Sequence, residues 1–421
     1  MPAIISLDDP LPATGFTTGI PVPRDRKRLR NLRYLLVGCY VALLPVQFAL
    51  DSGMRLAPSD AFLFLYLIAA APDRHFLRTR VWSGWHPAIL LTFSLATLTS
   101  LMRFGEVTRY MLLNKDMGML VLFAAYAALT GEARDWEAIR RILRVFVVSV
   151  AIMNAVALVS FYGGAPLLAQ YVFPVAYTGR LAGMLIDPNA YGGLLVVALA
   201  IHVTTFYSTK PILGGAWGVI VTITLAAGIL LTYSRSAWIG AICVLLGLLV
   251  VNRRAAASVI VTVAAIVGVA LASADQSTVD NMIEMAARPQ QVEDRVQIVS
   301  KAIPMFLESP VWGIGLGTFY RFHNIIIHNT PIWFLTEFGV FGFIVFAGFI
   351  TWFWRRGFAA YRFAPAEEKA LVFALIAAHT AILGLSMGVE AFYQRHWWLS
   401  AALIAASYSL TRRDDRECPD C

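Results

Sequence analysis

The chain has 421 residues, 58% of them hydrophobic and only 14% charged, with a mean hydropathy of +0.67 and a formal net charge of +8. No soluble protein of this length needs so much apolar surface to fill a core, so the composition excludes a soluble globular protein and indicates one whose solvent is lipid. The positive charge lies mostly in one set of loops, and no Lys/Arg groove with interleaved aromatics accompanies it. A nucleic-acid partner is therefore not expected.

Residues 1–23, rich in Pro, Thr and Gly, read as a disordered tail. Arg24, Arg26, Lys27, Arg28, Arg30 and Arg33 follow and complete a polar segment, 1–33. A helix needs about 20 mostly apolar residues to cross the hydrocarbon. Runs near that length occur at 34–50, 58–72, 86–102, 114–130, 143–162, 189–207, 213–232, 236–251, 256–273, 331–354, 369–389 and 396–410. The expected fold is all-α: a polytopic transmembrane helical bundle of about 12 spans, with spans 1–9 over 34–273, a large loop over 274–330, spans 10–12 over 331–410 and a tail over 411–421. None of the runs reads as a cleavable signal, because the first lies behind a long polar segment and lacks a clear small-residue cleavage site.

The basic residues before the first run should stay in the cytoplasm, and twelve spans return the C-terminus there. Cytoplasmic segments then hold 23 of the 34 Lys/Arg and the opposite side 11, as the positive-inside rule requires. Cys39 and Cys243 fall inside spans as small apolar residues. Cys418 and Cys421 form a lone C-x-x-C without a second ligand pair, and no His, Cys or carboxylate cluster with metal spacing occurs elsewhere.

Two outer loops are long, 163–187 and 274–330. In the second, Val292, Val296, Val299, Ile303 and Phe306 recur at helical steps, which suits a helix laid on the membrane or on the bundle, with Pro304 bending its last turn. The following Ser309-Pro310-Val311-Trp312-Gly313-Ile314-Gly315-Leu316-Gly317 is turn-rich. It lacks the strand-to-helix context and the Lys-Ser/Thr of a phosphate loop, so a structural turn is the preferred reading.

In this topology every even-numbered span presents its N-terminus, with free N–H groups and the positive dipole end, to the outer side. Three such mouths carry special residues. Span 6 opens at Asp187-Pro188-Asn189, with Arg180 just upstream; span 8 opens after Tyr233-Ser234-Arg235; span 10 opens after His328-Asn329-Thr330 with Pro331 in its first turn. Helix N-termini beside arginines suit phosphate, which a guanidinium grips with a bidentate fork. Each residue also has a plain structural reading: Arg235 snorkelling to headgroups, Arg180 capping carbonyls, Asp187 capping its helix, His328 bridging helices. His323 competes with His328, and His202 and His379 fit helix packing. Lys115 beside Asp116 reads as a local charge pair.

Together these residues resemble the bacterial O-antigen ligase family, within the wider O-antigen ligase/polymerase superfamily of membrane glycosyltransferases. The most specific match is His-Asn-x9-Gly-x-x-Gly, met by His328-Asn329, Gly339 and Gly342, whereas the register from His323 would put Phe334 at the first glycine. Glu337 fits the family's His-Asn…Glu-x-Gly pattern, and Gly179-Arg180…Asp187-Pro188-Asn189, Tyr233-Ser234-Arg235 and Pro310–Gly315 resemble its other blocks. Phe343-Ile344 stand where relatives often carry small hydroxyl residues.

The resemblance implies transfer of a polysaccharide from undecaprenyl diphosphate to a hydroxyl of the lipid A-core oligosaccharide, at the periplasmic face of the bacterial inner membrane, with neither ATP nor a metal cofactor. The implied roles are His328 as general base, Arg180, Arg235 and Arg295 as diphosphate ligands, and Asn329 and Glu337 as supports of the histidine loop. The expected partners are lipid-linked O-antigen, lipid A-core and the surrounding membrane lipids. An O-antigen polymerase or a protein O-oligosaccharyltransferase would use the same donor. A small-anion transporter is the alternative of another class, but it would favour ionisable residues at mid-membrane depth and inverted repeats.

Overall fold

The computed structural model describes residues 24–49, 55–71, 81–106, 108, 110–163, 179–185 and 187–417. The N-terminal tail over residues 1–23, most of the loop before Arg180 and the Cys418/Cys421 pair lie outside the described residues.

Each of the twelve apolar runs contains a helix. The first nine are α1 (Arg24–Ala42), α2 (Pro58–Ala70), α3 (Trp85–Phe104), α4 (Met117–Glu132), α5 (Trp136–Gly163), α6 (Pro188–Phe206), α7 (Gly215–Leu231), α8 (Arg235–Val251) and α9 (Arg253–Ser273). A π-helical stretch, Tyr110–Asp116, leads directly into α4. The large loop contributes α10 (Gln276–Ala287), α11 (Pro289–Glu308) and the short α12 (Thr318–His323), after which come α13 (Thr330–Phe363), α14 (Lys369–Ser386) and α15 (Arg395–Glu417). Among the described residues seven helices are long and apolar enough to cross a bilayer: α3, the Tyr110–Glu132 unit, α5, α6, α9, α13 and α14. Helices α7 and α8, with 17 residues each, rise about 26 Å at 1.5 Å per residue, and α2 is shorter.

One boundary differs from the hydropathy reading. The run over 34–50 is not one helix, because α1 begins inside the basic segment at Arg24 and stops at Ala42. Pro45 cannot continue it, since its ring clashes with the carbonyl four residues back. The chain turns there, and Phe48–Ala49 pairs antiparallel with Arg55–Leu56. The predicted loop helix is present as α11, and Pro304 lies within it without ending it before Glu308.

Burial grades the bundle from centre to rim. The most apolar window of α6 is 83% buried, against 11% for that of α9, so α6 runs through the centre and α9 along the outside. Helix α14 packs on α6 and α8. A Cβ at Gly240 would lie 2.7 Å from the Ala381 carbonyl oxygen, so α8 and α14 approach to backbone contact, as small residues permit in membrane bundles. One buried polar knot ties α1, α2 and α4: Glu132 Oε1 accepts from Arg33 Nε and from Tyr66 Oη, each at 2.9 Å. Burial of such a charge requires this pairing.

Helix α13 is broken at Gly339, which holds φ +68°. The Pro310–Gly315 segment threads into the break. Val340 and Phe341 donate backbone N–H groups to the Pro310 and Val311 carbonyls, while Ile314 and Gly315 donate to those of Thr336 and Glu337. A Cβ at Gly313 would lie 2.4 Å from the Glu337 backbone, and one at Gly339 would lie 2.3 Å from the Val311 oxygen. The glycines of both motifs thus serve one contact between loop and helix.

Candidate functional site

The three helix mouths are built as their residue types dictate. Asp187 caps α6, its carboxylate accepting from Asn189 N at 2.8 Å, with Pro188 in the first turn. Ser234 caps α8 through Ala237 N at 3.3 Å, and Asn329 caps α13 through Ile332 N at 2.9 Å. Each cap satisfies one of the N–H groups that a helix start leaves unpaired.

The first two mouths are joined by Arg180. Its Nε donates to the Thr232 carbonyl and its Nη2 to Asn189 Oδ1, both at 2.8 Å. Asn189 Oδ1 also accepts from Ser234 Oγ at 3.0 Å, and Asn189 Nδ2 donates to Asp187 Oδ1 at 3.0 Å. Arg180 therefore does bind neighbouring groups, as its structural reading expected, and in doing so it is fixed at 5% exposure beside both mouths.

Three further arginines converge on it from α8 and the large loop. Arg235 Nη1 donates to the Ala287 carbonyl at 3.2 Å, anchoring the end of α10 over α8. Arg288, between α10 and α11, donates through Nη2 to the Tyr233 carbonyl. Both Tyr233 and Arg288 hold positive φ, 45° and 28°, a conformation that costs a non-glycine residue free energy and collects at functional sites. The Nε and Nη1 of Arg288 are buried with no hydrogen-bond partner among the described residues. Arg295, two turns further along α11, lies against the turn after α14: a Cβ at Gly388 would sit 3.0 Å from its Nη1.

The electrostatics show how crowded this charge is. Burial, together with the Arg288, Arg295 and Arg235 guanidiniums, pushes the Arg180 pKa down to about 10, opposed by Asp187. Arg288 is lowered by burial and by Arg235 and Arg295. Arg295 is lowered by burial and by Arg235, with Asp187 opposing. Arg288, Arg295 and Arg235 each disfavour the charged form of Arg180, and the field the four share favours an anion.

The third mouth completes the site. Asn329 Nδ2 donates to the Met387 carbonyl at 2.9 Å, Thr330 Oγ1 donates to that of Val389 at 3.0 Å, and Ala391 N donates to Thr330 Oγ1 at 2.9 Å. The segment carrying His328 is thereby clamped to the turn between α14 and α15, where Arg295 also rests. The His328 imidazole is half-buried. Burial lowers its pKa below the usual 6.5; Arg295 adds to the lowering, while Asp187 and Glu390 oppose it. His328 thus lies within the field of residues from both the arginine cluster and this turn.

Glu337 supports the histidine segment from within α13. Its carboxylate accepts from Gly317 N at 2.9 Å, Phe319 N at 3.3 Å and Trp333 Nε1 at 2.8 Å, fastening α12 to the first turns of α13. The structure thus brings together Arg180, Arg235, Arg295, His328 and Asn329, while Glu337 ties α12 to α13. It leaves His323 on α12, its ring against Phe319. The exposed ion pairs Arg103–Glu308 and Arg321–Glu106, at 2.8 and 2.9 Å, also stand apart from the cluster.

Two features differ from the sequence reading. Arg288 carries no individual signal in the loop sequence, because its place in the site is set by the non-helical turn between α10 and α11. Lys115 does not pair with Asp116. It pairs with Glu390 and lies over the rings of Trp333 and Tyr393, 4.6 and 4.7 Å from their centroids, while Asp116 accepts from Thr97. Consecutive helical residues point about 100° apart and do not face each other. Among the described residues no group of three His, Cys, Asp or Glu side chains forms a metal-ligand set.

Fold and site together define the class: a predominantly helical, multi-pass membrane protein with a cationic, imidazole-bearing site at its helix mouths. Residues 220–347 match the family model for O-antigen ligase. The match takes in Arg235, Arg288, Arg295 and His328 and leaves Arg180 upstream. The family's members are membrane glycosyltransferase-like enzymes of the ligase and polymerase type. No curated protein matches the chain.

Proposed function

We propose that this protein is an O-antigen ligase that transfers a polysaccharide from undecaprenyl diphosphate to a hydroxyl of lipid A-core at the periplasmic face of the inner membrane. The observation that carries this reading is the convergence of Arg180, Arg235 and Arg288 on the α6 and α8 mouths, with Arg295 adding its charge to both Arg180 and His328. A diphosphate is a multiply charged anion that balances these charges, and it is also a leaving group that needs only its departing charge stabilised.

In this scheme Arg180, Arg235 and Arg295, joined by Arg288, hold the donor diphosphate. His328 takes the proton from the acceptor hydroxyl as general base, a role worth roughly 10²–10⁴-fold. The hydroxyl oxygen forms a bond to the anomeric carbon as the carbon–oxygen bond to the diphosphate breaks, and the diphosphate leaves with that electron pair. One displacement inverts the anomeric centre. A lowered pKa keeps the imidazole neutral, and so able to accept a proton, near neutral pH. Asn329 and Glu337 orient the histidine segment. The activated bond is already in the donor, so the scheme uses no ATP and no metal.

The same reading assigns twelve crossings, with residues 1–33 and 411–421 in the cytoplasm and 274–330 in the periplasm, supported by the basic-residue bias between loops. A polymerase would share the donor site and take a second lipid-linked saccharide as acceptor. Purified protein supplied with polymer-linked undecaprenyl diphosphate and lipid A-core separates the two. Polymer-bearing lipid A-core is the expected product, and lengthened lipid-linked polymer with untouched lipid A-core would overturn the ligase assignment.

A further inference from the structure

At the far end of α13 from His328, a cavity of about 680 Å³ opens along the helix surface. Its wall on α13 is made by Phe343, Ile344, Ala347, Gly348 and Thr351, and Trp85 of α3 closes it. A Cβ on Gly348 would lie 2.3 Å from the Trp85 ring, so the absence of a side chain there is what lets the indole lie on the helix. Small residues in the middle of a helix face make the concavity.

One end of this apolar groove is cationic. Arg355 and Arg356 line it, and no carboxylate does. The Arg356 guanidinium lies 4.1 Å from the Trp352 ring centroid and 4.6 Å from that of Tyr408, which holds its plane in place. Arg355 is exposed. Both follow directly on the apolar run over 331–354. Arginines are costly in hydrocarbon and settle at headgroup level. From Phe343 to Arg355 the helix rises about 18 Å, close to half of a hydrocarbon core of about 30 Å. The groove therefore has the length of one leaflet, with its positive end where that leaflet's phosphates lie.

We propose that this groove binds one anionic phospholipid from the leaflet on the Arg355 side, with its phosphate held by Arg355 and Arg356 and an acyl chain laid between α3 and α13. Basic pockets between helices recognise anionic headgroups in this way, and a guanidinium fork supplies the directed contacts to phosphate oxygens. The site is separate from the arginine cluster around Arg180 and does not depend on the ligase reading.

The test uses the purified full chain, exchanged into detergent with phosphatidylglycerol, with phosphatidylcholine of the same acyl chains, or with inorganic phosphate alone. Retained lipid is counted by native mass spectrometry, and the thermal midpoint is followed. Phosphatidylglycerol should be retained and raise the midpoint, while phosphatidylcholine and inorganic phosphate should do neither. Arg355→Gln with Arg356→Gln should weaken phosphatidylglycerol retention about thirtyfold, as loss of two charged phosphate contacts implies. Ala347→Trp, which fills the groove, should abolish retention with both arginines in place. Equal retention of the two lipids by wild type, an equal shift from phosphate alone, or unchanged retention in either variant would overturn the proposal. The wild-type comparison decides even if a variant fails to fold.

Discussion

Arg180 Nη2 donates to Asn189 Oδ1 at 2.8 Å, and this bond holds a loop arginine on the first turn of α6. The same oxygen accepts from Ser234 Oγ, so one amide sets the spacing between the α6 and α8 mouths. Replacing Asn189 by Ala releases the Nη2 end of the guanidinium, which keeps its Nε bond to the Thr232 carbonyl, and leaves Asp187 and Ser234 as caps. Turnover in the transfer assay should fall about tenfold, against a stability loss of about 2–3 kcal/mol, because the bonds to the charged Arg180 and Asp187 and the neutral one to Ser234 all go. Unchanged turnover would show that the position of Arg180 does not matter.

The pH dependence follows from the groups around His328. A base must be deprotonated, so kcat/KM should rise with pH through a value below the usual imidazole pKa and then level off. Arg295 destabilises the imidazolium and Asp187 stabilises it. Arg295→Gln should therefore move the midpoint up, and Asp187→Asn should move it down. The midpoint of the pH profile is the readout, independent of any loss in donor affinity.

Arg288 carries opposing contributions to activity and stability. Its Nε and Nη1 are buried without partners among the described residues, and a buried polar group left unpaired costs about 1–3 kcal/mol. Arg288→Met retains the volume and removes that cost. Thermal denaturation should show a more stable protein, while the donor KM rises about tenfold, the exchange expected where strain serves function. A variant that is less stable and fully active would contradict this account.

The loop threaded through α13 predicts a steep structural penalty. Gly313→Ala and Gly339→Ala each place a Cβ within 2.4 Å of backbone at positive φ, +75° and +68°. Each should cost more than about 3 kcal/mol, seen as loss of monodisperse protein on size exclusion. Gly268→Ala, where a Cβ meets nothing within 4 Å, is the matched control and should behave as wild type.

Local chemistry made much of this legible in the sequence. Apolar run length located a helix for every expected span, and cap-plus-proline patterns at Asp187-Pro188 and Asn329…Pro331 marked two helix starts that the structure reproduces. Spacing from His328 singled out Gly339 only as part of a family motif within a continuous expected span, and the break in α13 there, with the Pro310–Gly315 segment lying in the gap, is visible only in the structure. What escaped depends on distant pairing. Lys115 meets Glu390, 275 positions away, and nothing in either neighbourhood encodes that contact. Arg288 was one loop arginine among several until the α10–α11 junction turned it onto Tyr233. Pro45 did carry the signal that ends α1, but it lay inside an otherwise unbroken apolar run.

The most direct test of the central claim is transfer from polymer-linked undecaprenyl diphosphate to lipid A-core by purified wild type and by His328→Ala, side by side without added metal or ATP. The account predicts polymer-bearing lipid A-core from wild type and a fall of at least 10²-fold in the variant, with donor binding retained. Transfer by His328→Ala at the wild-type rate would contradict it, because the base would then lie elsewhere.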